Sequence, residues 1–271
     1  MQLEDTATQQ RLLHAVRDIA ARAGAAIMTV YEAPFTVERK ADDSPLTAAD
    51  RAAHEIIRGG LATLRPQLPV LSEESPTGDL EGRRDWRRYW LVDPLDGTKE
   101  FVKRNGEFTV NIALVVDGRP VLGVVTAPAC DLEYFGASSV GAWRRLGNTS
   151  AEPVQTARSR SGVTRVVGSR SHPSPTLAAY LERLGPHELC SMGSSLKICL
   201  VADGQADVYP RFGPTSEWDT AAAQAVLESA GGNVIDLAGR ALRYNTKDTL
   251  LNPQFLAIGD NGRDWLAAVP K

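Results

Sequence analysis

The N-terminal part of the chain carries hydrophobic side chains at the spacing of an α-helix. Five of them share one face between residues 6 and 30 and predict a long amphipathic helix: Leu12, Leu13, Val16, Ile19 and Ala20. A short extended segment is predicted at 35–38. A second helix is predicted to begin after Thr47, whose hydroxyl can cap it, and to end near Gly59-Gly60 or Leu64.

The middle of the chain has the pattern of β-strands. Short apolar runs at 69–72 and 89–92 predict two strands. Longer apolar runs on either side of the turn dipeptide Asp117-Gly118 predict a hairpin over 108–126. A further hairpin is predicted over 132–143, so this part of the chain favours an antiparallel sheet.

Strands and helices alternate in the C-terminal part. Strands are predicted at 163–167, 188–191, 207–210, 233–235 and 255–258, and helices at 175–184, 194–202, 218–230 and 262–268. A polar stretch at 145–162 is the best candidate boundary, which divides the chain into halves at 1–150 and 151–271. Strands followed by βα units predict an α+β fold in which helices separate layered sheets.

Composition and charge narrow the class of protein. The chain has 271 residues, with 43% apolar and 23% charged residues and a net charge of −3. We therefore expect no general affinity for nucleic acid, and an anionic ligand would need a local cluster of donors. The three cysteines form no CxxC pair, the N-terminus is polar, and no apolar run approaches the roughly 20 residues of a membrane helix. These features predict a cytoplasmic protein without an integral membrane segment.

Carboxylates stand where the chain enters or leaves predicted elements. Glu73 and Glu74 end one strand, Asp93 and Asp96 end another, and Asp219 begins the helix predicted at Trp218. Acids brought into one pocket would repel one another unless cations were present, and Mg²⁺ prefers oxygen ligands. Because the four histidines are far apart in the sequence and no cysteine pair has zinc spacing, zinc is not favoured.

The stretch from Asp93 to Thr98 supplies the parts of a two-metal hydrolase. Its spacing lets Asp93 bridge two ions, while Leu95 offers its carbonyl oxygen and Asp96 reaches the other side. The amides of Gly97, Thr98 and Lys99 would open a short helix and attract phosphate. Two magnesium ions can clamp the attacking and leaving oxygens of a phosphoryl group. A water would then be the nucleophile, with its proton taken by Thr98 or Glu73.

Each piece taken alone has a simpler explanation. Asp-Pro and Asp-Gly are common turn dipeptides, paired glutamates are usually solvated, and an acid favours any helix N-terminus. The conjunction is what indicates a site. Other phosphatase and nucleotide chemistries lack their motifs, because the chain has no Cys-x5-Arg loop, no Asp-x-Asp pair at the central turn, no P-loop and no G-x-G-x-x-G fingerprint.

These motifs together resemble a known family. The chain is similar to the lithium-sensitive, magnesium-dependent phosphatases that include inositol monophosphatase and fructose-1,6-bisphosphatase. The resemblance rests on Glu73-Glu74, Asp93 to Thr98, Trp218-Asp219 with Ala221-Ala222, Ala230-Gly231-Gly232, and residues 42–50. It covers nearly the whole chain and implies an α+β fold layered as an α-β-α-β-α sandwich.

Further residues resemble one branch of this family, the bacterial 3′(2′),5′-bisphosphate nucleotidases. These are Lys99-Glu100-Phe101, Ser44-Pro45, Gly193 to Lys197, and Tyr209 to Phe212. The branch implies removal of the 3′-phosphate from adenosine 3′,5′-bisphosphate and from its phosphosulfate relative. This reaction belongs to sulfate assimilation. Inositol monophosphate or a sugar bisphosphate stays open as the substrate, as does a non-catalytic sensor of nucleotide or metal.

The resemblance also implies roles for individual residues. Metal would be held by Glu73, Asp93, the Leu95 carbonyl, Asp96 and Asp219, with two or three Mg²⁺ ions and with Glu74 in an outer or third-metal position. Thr98, hydrogen-bonded to Asp50, would orient and deprotonate the water together with Glu73. Substrate contacts would come from Gly97, Thr98, Ser194, Lys197, Arg211, His172 and Asp219. The chain is expected to act as a monomer or homodimer on a small nucleotide bisphosphate.

Overall fold

The computed structural model describes residues 3–39, 45–157, 162–169 and 174–270. Short 3₁₀ helices occur among these residues and stay unlabelled. The α-helices of this part are α1 (Thr6–Glu32), α2 (Ala48–Ala62), α3 (Thr98–Val102), α4 (Pro175–Leu184), α5 (Leu196–Ala202) and α6 (Ala221–Ser229). The predicted N-terminal helices are confirmed as α1 and α2.

The strands of the described residues form a two-stranded, a five-stranded and a seven-stranded sheet. They are β1 (Glu38–Arg39), β2 (Pro45–Leu46), β3 (Val70–Ser72), β4 (Arg88–Asp96), β5 (Thr109–Val116), β6 (Arg119–Ala127), β7 (Leu132–Ala137), β8 (Gly141–Leu146), β9 (Glu152–Pro153), β10 (Thr164–Ser169), β11 (His187–Met192), β12 (Val208–Arg211), β13 (Asn233–Asp236) and β14 (Phe255–Ile258). Both predicted hairpins are confirmed, as β5–β6 and β7–β8.

The seven-stranded sheet runs in the order β3-β4-β5-β6-β7-β8-β9, with β3 parallel to β4 and the other neighbours antiparallel. Helices α1 and α2 cover one face of it. Their apolar side chains, such as Val16 and Ile57, share a buried cluster with Ile112 and Val124 of the sheet. Burial of this apolar surface fixes the first helical layer against the sheet.

Helices α5 and α6 form the middle layer between the two large sheets. Their side chains share one buried cluster with strands of both sheets, including Leu91 of β4 and Tyr209 of β12. Helix α6 lies unusually close to β6, because a Cβ atom added at Gly123 would stand 2.1 Å from the carbonyl oxygen of Ala222. Glycine at this position therefore lets the helix lie down on the sheet.

The five-stranded sheet runs in the order β11-β10-β12-β14-β13. Its outer face buries Val166 and Leu256 against Tyr180 of α4 and against Trp265 near the C-terminus. The layers thus succeed one another as helix, sheet, helix, sheet and helix, which confirms the predicted α-β-α-β-α sandwich. The division at residue 150 stays a prediction, and β9, just beyond it, still pairs with β8.

Several predicted element bounds were wrong at the site. Strand β4 continues through Pro94 to Asp96 instead of ending near residue 92, because a register shift between Asp93 and Asp96 absorbs the irregularity as a bulge. Helix α5 begins at Leu196, since Ser194 has the left-handed φ of 46°. Helix α6 begins at Ala221, after a turn in which the Asp219 carboxylate accepts the Ser216 amide hydrogen at 2.9 Å.

The predicted helix at 262–268 was also too long. Only a 3₁₀ turn at Leu266–Ala268 forms there. The Asp264 side chain accepts hydrogen bonds from the amides of Leu266 and Ala267 at 3.1 and 3.2 Å. This local capping competes with a longer helix. Among the described helices, none combines the length and the apolar character needed to cross a lipid bilayer.

Candidate metal and phosphate site

A cleft of about 320 Å³ opens where the end of β4, the start of α5 and the turn before α6 meet. Residues from both predicted halves of the chain line it. The predicted site residues that line it are Glu73, Asp93, Leu95, Asp96, Gly97, Thr98, Ser194, Lys197, Arg211 and Asp219. The fold therefore brings together carboxylates, cations and backbone amides that lie far apart in the sequence.

Three of the carboxylates that line this cleft lie close together. Asp93, Asp96 and Asp219 each offer an oxygen within 4.8 Å of the others. Burial raises the pKa of Asp93 well above its usual value, and the charges of Glu73, Asp96 and Asp219 raise it further. Burial also raises the pKa of Asp96 to about 6, against the opposing effect of Lys197. Burial is thus the largest cause of both shifts, and the neighbouring carboxylates add to it.

The chemistry of the donor set fits a hard divalent cation. All three close ligand atoms are carboxylate oxygens, and Asp93 is only 1% exposed to solvent. Glu73 lies near enough to raise the pKa of Asp219 as well, after the larger effects of burial and of Asp96. A cation would neutralise charges that otherwise repel. The cluster can therefore hold a metal ion with oxygen ligands.

The turn after Asp93 is shaped by its own side chain. Asp93 Oδ1 accepts a hydrogen bond from the Leu95 amide at 3.0 Å, which bends the bulged end of β4. Gly97 then adopts a φ of 91°, in the region that glycine tolerates without strain, and α3 begins at Thr98. The Thr98 hydroxyl lies 3.4 Å from the Leu95 carbonyl oxygen. The start of α3 at Thr98 confirms the predicted short helix after the central turn.

Lys197 and Arg211 line the same cleft as the acids. Lys197 of α5 is only 7% exposed, and its Nζ lies 5.5 Å from the centre of the Tyr209 ring and donates to the Ser194 carbonyl. Burial lowers the pKa of Lys197 to about 8, and the carboxylate of Asp96 partly opposes this shift. Arg211, at the end of β12, donates from Nη2 to the Pro214 carbonyl at 2.7 Å.

The segment before α5 is held by residues that the sequence did not single out. The Ser195 hydroxyl donates to Asn111 Oδ1 at 2.7 Å and lies 2.9 Å from the Thr109 hydroxyl. The Ser195 amide also hydrogen-bonds the Asp96 carboxylate. Thr109 and Asn111 are fully buried polar residues of a strand that otherwise reads as apolar. Those two interruptions of the apolar run were the only signal in the sequence.

Comparison with known proteins identifies the family. The sequence profile of the inositol monophosphatase family matches residues 8–265. The chain belongs to this family. A curated relative, the 3′(2′),5′-bisphosphate nucleotidase CysQ of Salmonella typhimurium, is 53% identical over 246 residues, which cover 90% of this chain and 98% of the relative. The CysQ of Haemophilus influenzae is 35% identical over 94% of this chain and 96% of the relative.

Solved structures of the family have the same fold. The crystal structure of CysQ from Bacteroides thetaiotaomicron aligns with a TM-score of 0.81 and 45% identity, covering 94% of this chain and 98% of that one. An inositol monophosphatase from Anabaena aligns with a TM-score of 0.76 and 27% identity, covering 96% and 97% of the two chains. These findings confirm the predicted family and its fold.

One predicted catalytic residue, Asp50, is not among the described residues that line the cleft. Asp50 is buried in the capping box of α2, where its Oδ2 accepts from the Thr47 amide at 2.7 Å and from the Thr47 hydroxyl at 2.8 Å. Its hydrogen bond to Thr98 stays a prediction. His172 lies outside the described residues, as do Asp42, Asp43 and Ser44 of the predicted motif.

Proposed function

We propose that this member of the inositol monophosphatase family is a magnesium-dependent phosphatase acting on adenosine 3′,5′-bisphosphate. It would hydrolyse the 3′-phosphate to leave AMP and would accept the related phosphosulfate. Relatives named as 3′(2′),5′-bisphosphate nucleotidases, at 53% and 35% identity over nearly their whole length, support this assignment. So does the resemblance of Lys99-Glu100-Phe101, beside the central turn, to that branch.

One observation of the structure carries the proposal. A single cleft contains a cluster of three close carboxylates together with the buried cation of Lys197 and with Arg211. A bisphosphate has two anionic groups that need different surroundings. The carboxylates suit the phosphate that reacts on metal ions, and the two cations suit the phosphate that stays.

The acids divide into two overlapping ligand sets. Glu73, Asp93 and the Leu95 carbonyl would hold one Mg²⁺ ion, and Asp93, Asp96 and Asp219 a second. Glu74 would serve a third ion or an outer position. When bound, the ions would lower the pKa of a water, which could then lose a proton and attack phosphorus, and would neutralise the charge on the leaving oxygen.

The chain itself would move the proton and orient the phosphate. Thr98, supported by Asp50, would accept a hydrogen bond from the attacking water, and Glu73 would take its proton. The free amides of Gly97 and Thr98 at the start of α3 would donate to the phosphate oxygens. Ser194 and His172, with Lys197 and Arg211, would contact the rest of the nucleotide.

Phosphate release from adenosine 3′,5′-bisphosphate tests the proposal directly. The rate should depend on added Mg²⁺, vanish in excess chelator and return when Mg²⁺ is restored. Equal rates with Mg²⁺ and with chelator would end the metal-dependent account. Turnover absent under all conditions, with the nucleotide still bound, would identify a sensor.

The substrate is decided by a side-by-side comparison. Values of kcat/KM should be measured for adenosine 3′,5′-bisphosphate, inositol 1-phosphate and fructose 1,6-bisphosphate under one set of conditions. We expect the nucleotide to have the highest value. If inositol phosphate or the sugar phosphate outran it by about tenfold, a difference of about 1.4 kcal/mol in transition-state binding, the nucleotidase assignment would be wrong.

A further inference from the structure

The turn that carries Asp219 pairs with the segment that leads into β14. The turn spans residues 215–220 and ends where α6 begins. The Glu217 amide donates to the Leu250 carbonyl at 2.8 Å, and Ser216 forms an isolated antiparallel bridge with Leu251. Asp219 thus lies on a short piece of chain fixed by pairing with a neighbouring one.

Asn252 makes the densest set of these contacts. Its side-chain amide nitrogen lies 2.7 Å from the Ser216 carbonyl oxygen, 2.9 Å from the Thr220 hydroxyl and 3.3 Å from the Thr215 hydroxyl. A carbonyl oxygen can only accept, so the nitrogen of Asn252 must be the atom that faces Ser216. The Asn252 backbone amide adds a 2.8 Å bond to the Thr215 carbonyl. One residue therefore bonds both sides of the turn around Asp219.

An ion pair with a buried carboxylate anchors the same turn at a second point. Glu217 has no exposed surface, its Oε1 pairs with Lys247 Nζ at 2.5 Å, and its Oε2 accepts the Asn245 amide hydrogen at 2.7 Å. Arg83, from the segment before β4, donates to the side chain of Asn245 and to the carbonyl oxygens of Lys247 and Asp248. The anchor therefore connects the Asp219 turn to the part of the chain that leads into β4.

Such bracing has a physical purpose at this site. The Asp219 carboxylate stands within 4.8 Å of two others, and like charges at that distance push the turn away from the cleft. Within the turn, the carboxylate accepts the Ser216 amide hydrogen at 2.9 Å. Ser216 in turn is held by Asn252 through its carbonyl oxygen. Asn252 is thus linked to the Asp219 carboxylate through Ser216.

We propose that Asn252 is a positioning residue, which holds the Asp219 turn in its metal-binding geometry with Glu217 and Lys247 as the second anchor. The inference rests on the proposed metal-dependent function. It assigns to the segment 245–252 the task of keeping the metal site formed before the cation arrives. Partners that orient metal ligands in this way commonly contribute about 10–100-fold in metal affinity.

Magnesium binding to the Asn252→Ala variant, measured by calorimetric titration without substrate, tests the inference. We expect a Kd for Mg²⁺ raised by at least about tenfold, and a kcat that recovers toward the wild-type value at saturating Mg²⁺. The matched control is Gln9→Ala. Gln9 of α1 is a fully buried amide that bonds Ser138 and Ser139, between β7 and β8 of the seven-stranded sheet. Its loss should lower Tm and leave the Kd within twofold.

The outcomes separate the two proposals. An Asn252→Ala protein that binds Mg²⁺ as tightly as the wild type overturns the positioning role alone. A wild-type protein that neither binds Mg²⁺ nor releases phosphate overturns the proposed function instead. If Asn252→Ala does not fold, the pair Lys247→Met and Lys247→Arg decides. Loss of affinity in the first and its retention in the second supports the role, and equal affinities in the two contradict it.

Discussion

The backbone amide of Gly193 donates a 2.7 Å hydrogen bond to the Glu107 carboxylate. A Cβ atom added at Gly193 would stand 2.7 Å from the Glu107 carbonyl oxygen and 2.8 Å from its Cβ atom, so the two segments touch backbone to backbone. The segment after Gly193 leads through Ser194 to Lys197. The segment that carries Lys197 is therefore placed by a contact with the loop before β5, and glycine is required for that closeness.

A Gly193→Ala substitution should weaken substrate binding more than it weakens metal binding. The added methyl group displaces the segment that carries Ser194 and Lys197. Asp93 keeps its place in β4, whereas Asp96 loses part of its support because it accepts a hydrogen bond from the Ser195 amide. We expect KM for the nucleotide to rise by about tenfold or more, and the Kd for Mg²⁺ to rise less, in steady-state kinetics and calorimetry. Gly59→Ala in α2 is the control, since nothing lies within 4 Å of its added Cβ. That change should leave kinetics alone and stabilise the helix by up to about 1 kcal/mol. Unchanged KM in Gly193→Ala would contradict the placement.

An Asp93→Asn substitution should abolish turnover and stabilise the metal-free protein. Burial, then the charges of Glu73, Asp96 and Asp219, raise the pKa of Asp93 in the fold, so at neutral pH its ionised form costs stability that an amide does not. We expect a higher Tm than wild type in chelator, and a loss of kcat beyond the roughly 10–100-fold caused by losing an outer partner. Asp131→Asn, at an exposed left-handed position, is the control and should change neither value. A lower Tm in chelator would mean that the acids are not in electrostatic conflict.

Magnesium should stabilise the protein against heat. Ion binding relieves the repulsion among carboxylates within 4.8 Å of one another and acts only on the folded state. At 100 times the Kd the gain is about 2.7 kcal/mol, or roughly 5–10 °C in Tm for a chain of this size. Differential scanning calorimetry in Mg²⁺ and in chelator measures it, and the shift should be absent in Asp93→Asn. Equal midpoints for the wild type in both buffers would count against a metal site here.

A Lys197→Met substitution should weaken binding of the bisphosphate selectively. A charge-assisted hydrogen bond to phosphate contributes about 1.5–3 kcal/mol, so KM for the nucleotide should rise about 10–100-fold. The KM of a substrate with one phosphate, such as p-nitrophenyl phosphate, should stay within about threefold. Equal losses on both substrates would indicate that Lys197 contacts the phosphate that reacts and not the one that stays.

The same lysine predicts a dependence on pH. Because burial lowers its pKa to about 8, the free enzyme loses this positive charge as the pH rises through that value. We expect KM for the bisphosphate to climb above pH 8 in the wild type, measured at saturating Mg²⁺. The profile of Lys197→Met should be flat over the same range. A rise of equal size in both proteins would assign the titration to another group.

Local patterns predicted most of the elements and much of the site. The spacing of Leu12 to Ala20 suffices for α1, because amphipathic periodicity is a property of the segment itself. The turn from Asp93 to Thr98 is likewise predictable from local sequence, since the Asp93 side chain accepts a hydrogen bond from the Leu95 amide two residues later. The bulge that extends β4 to Asp96 was missed, because it is set by pairing with Thr109 on the next strand.

By itself the sequence indicated most elements and the acids at their ends, because these depend on the order and spacing of nearby residues. The family and its layered fold followed from the resemblance of the motifs to known phosphatases. Only the tertiary structure decided which side chains meet. Three contacts join segments that are distant in the chain: Asp219 lies close to Asp93, Asn252 bonds the Ser216 carbonyl, and Gly193 contacts Glu107. Such contacts are fixed by the packing of α5 and α6 between two sheets, and no pattern local to either partner encodes them.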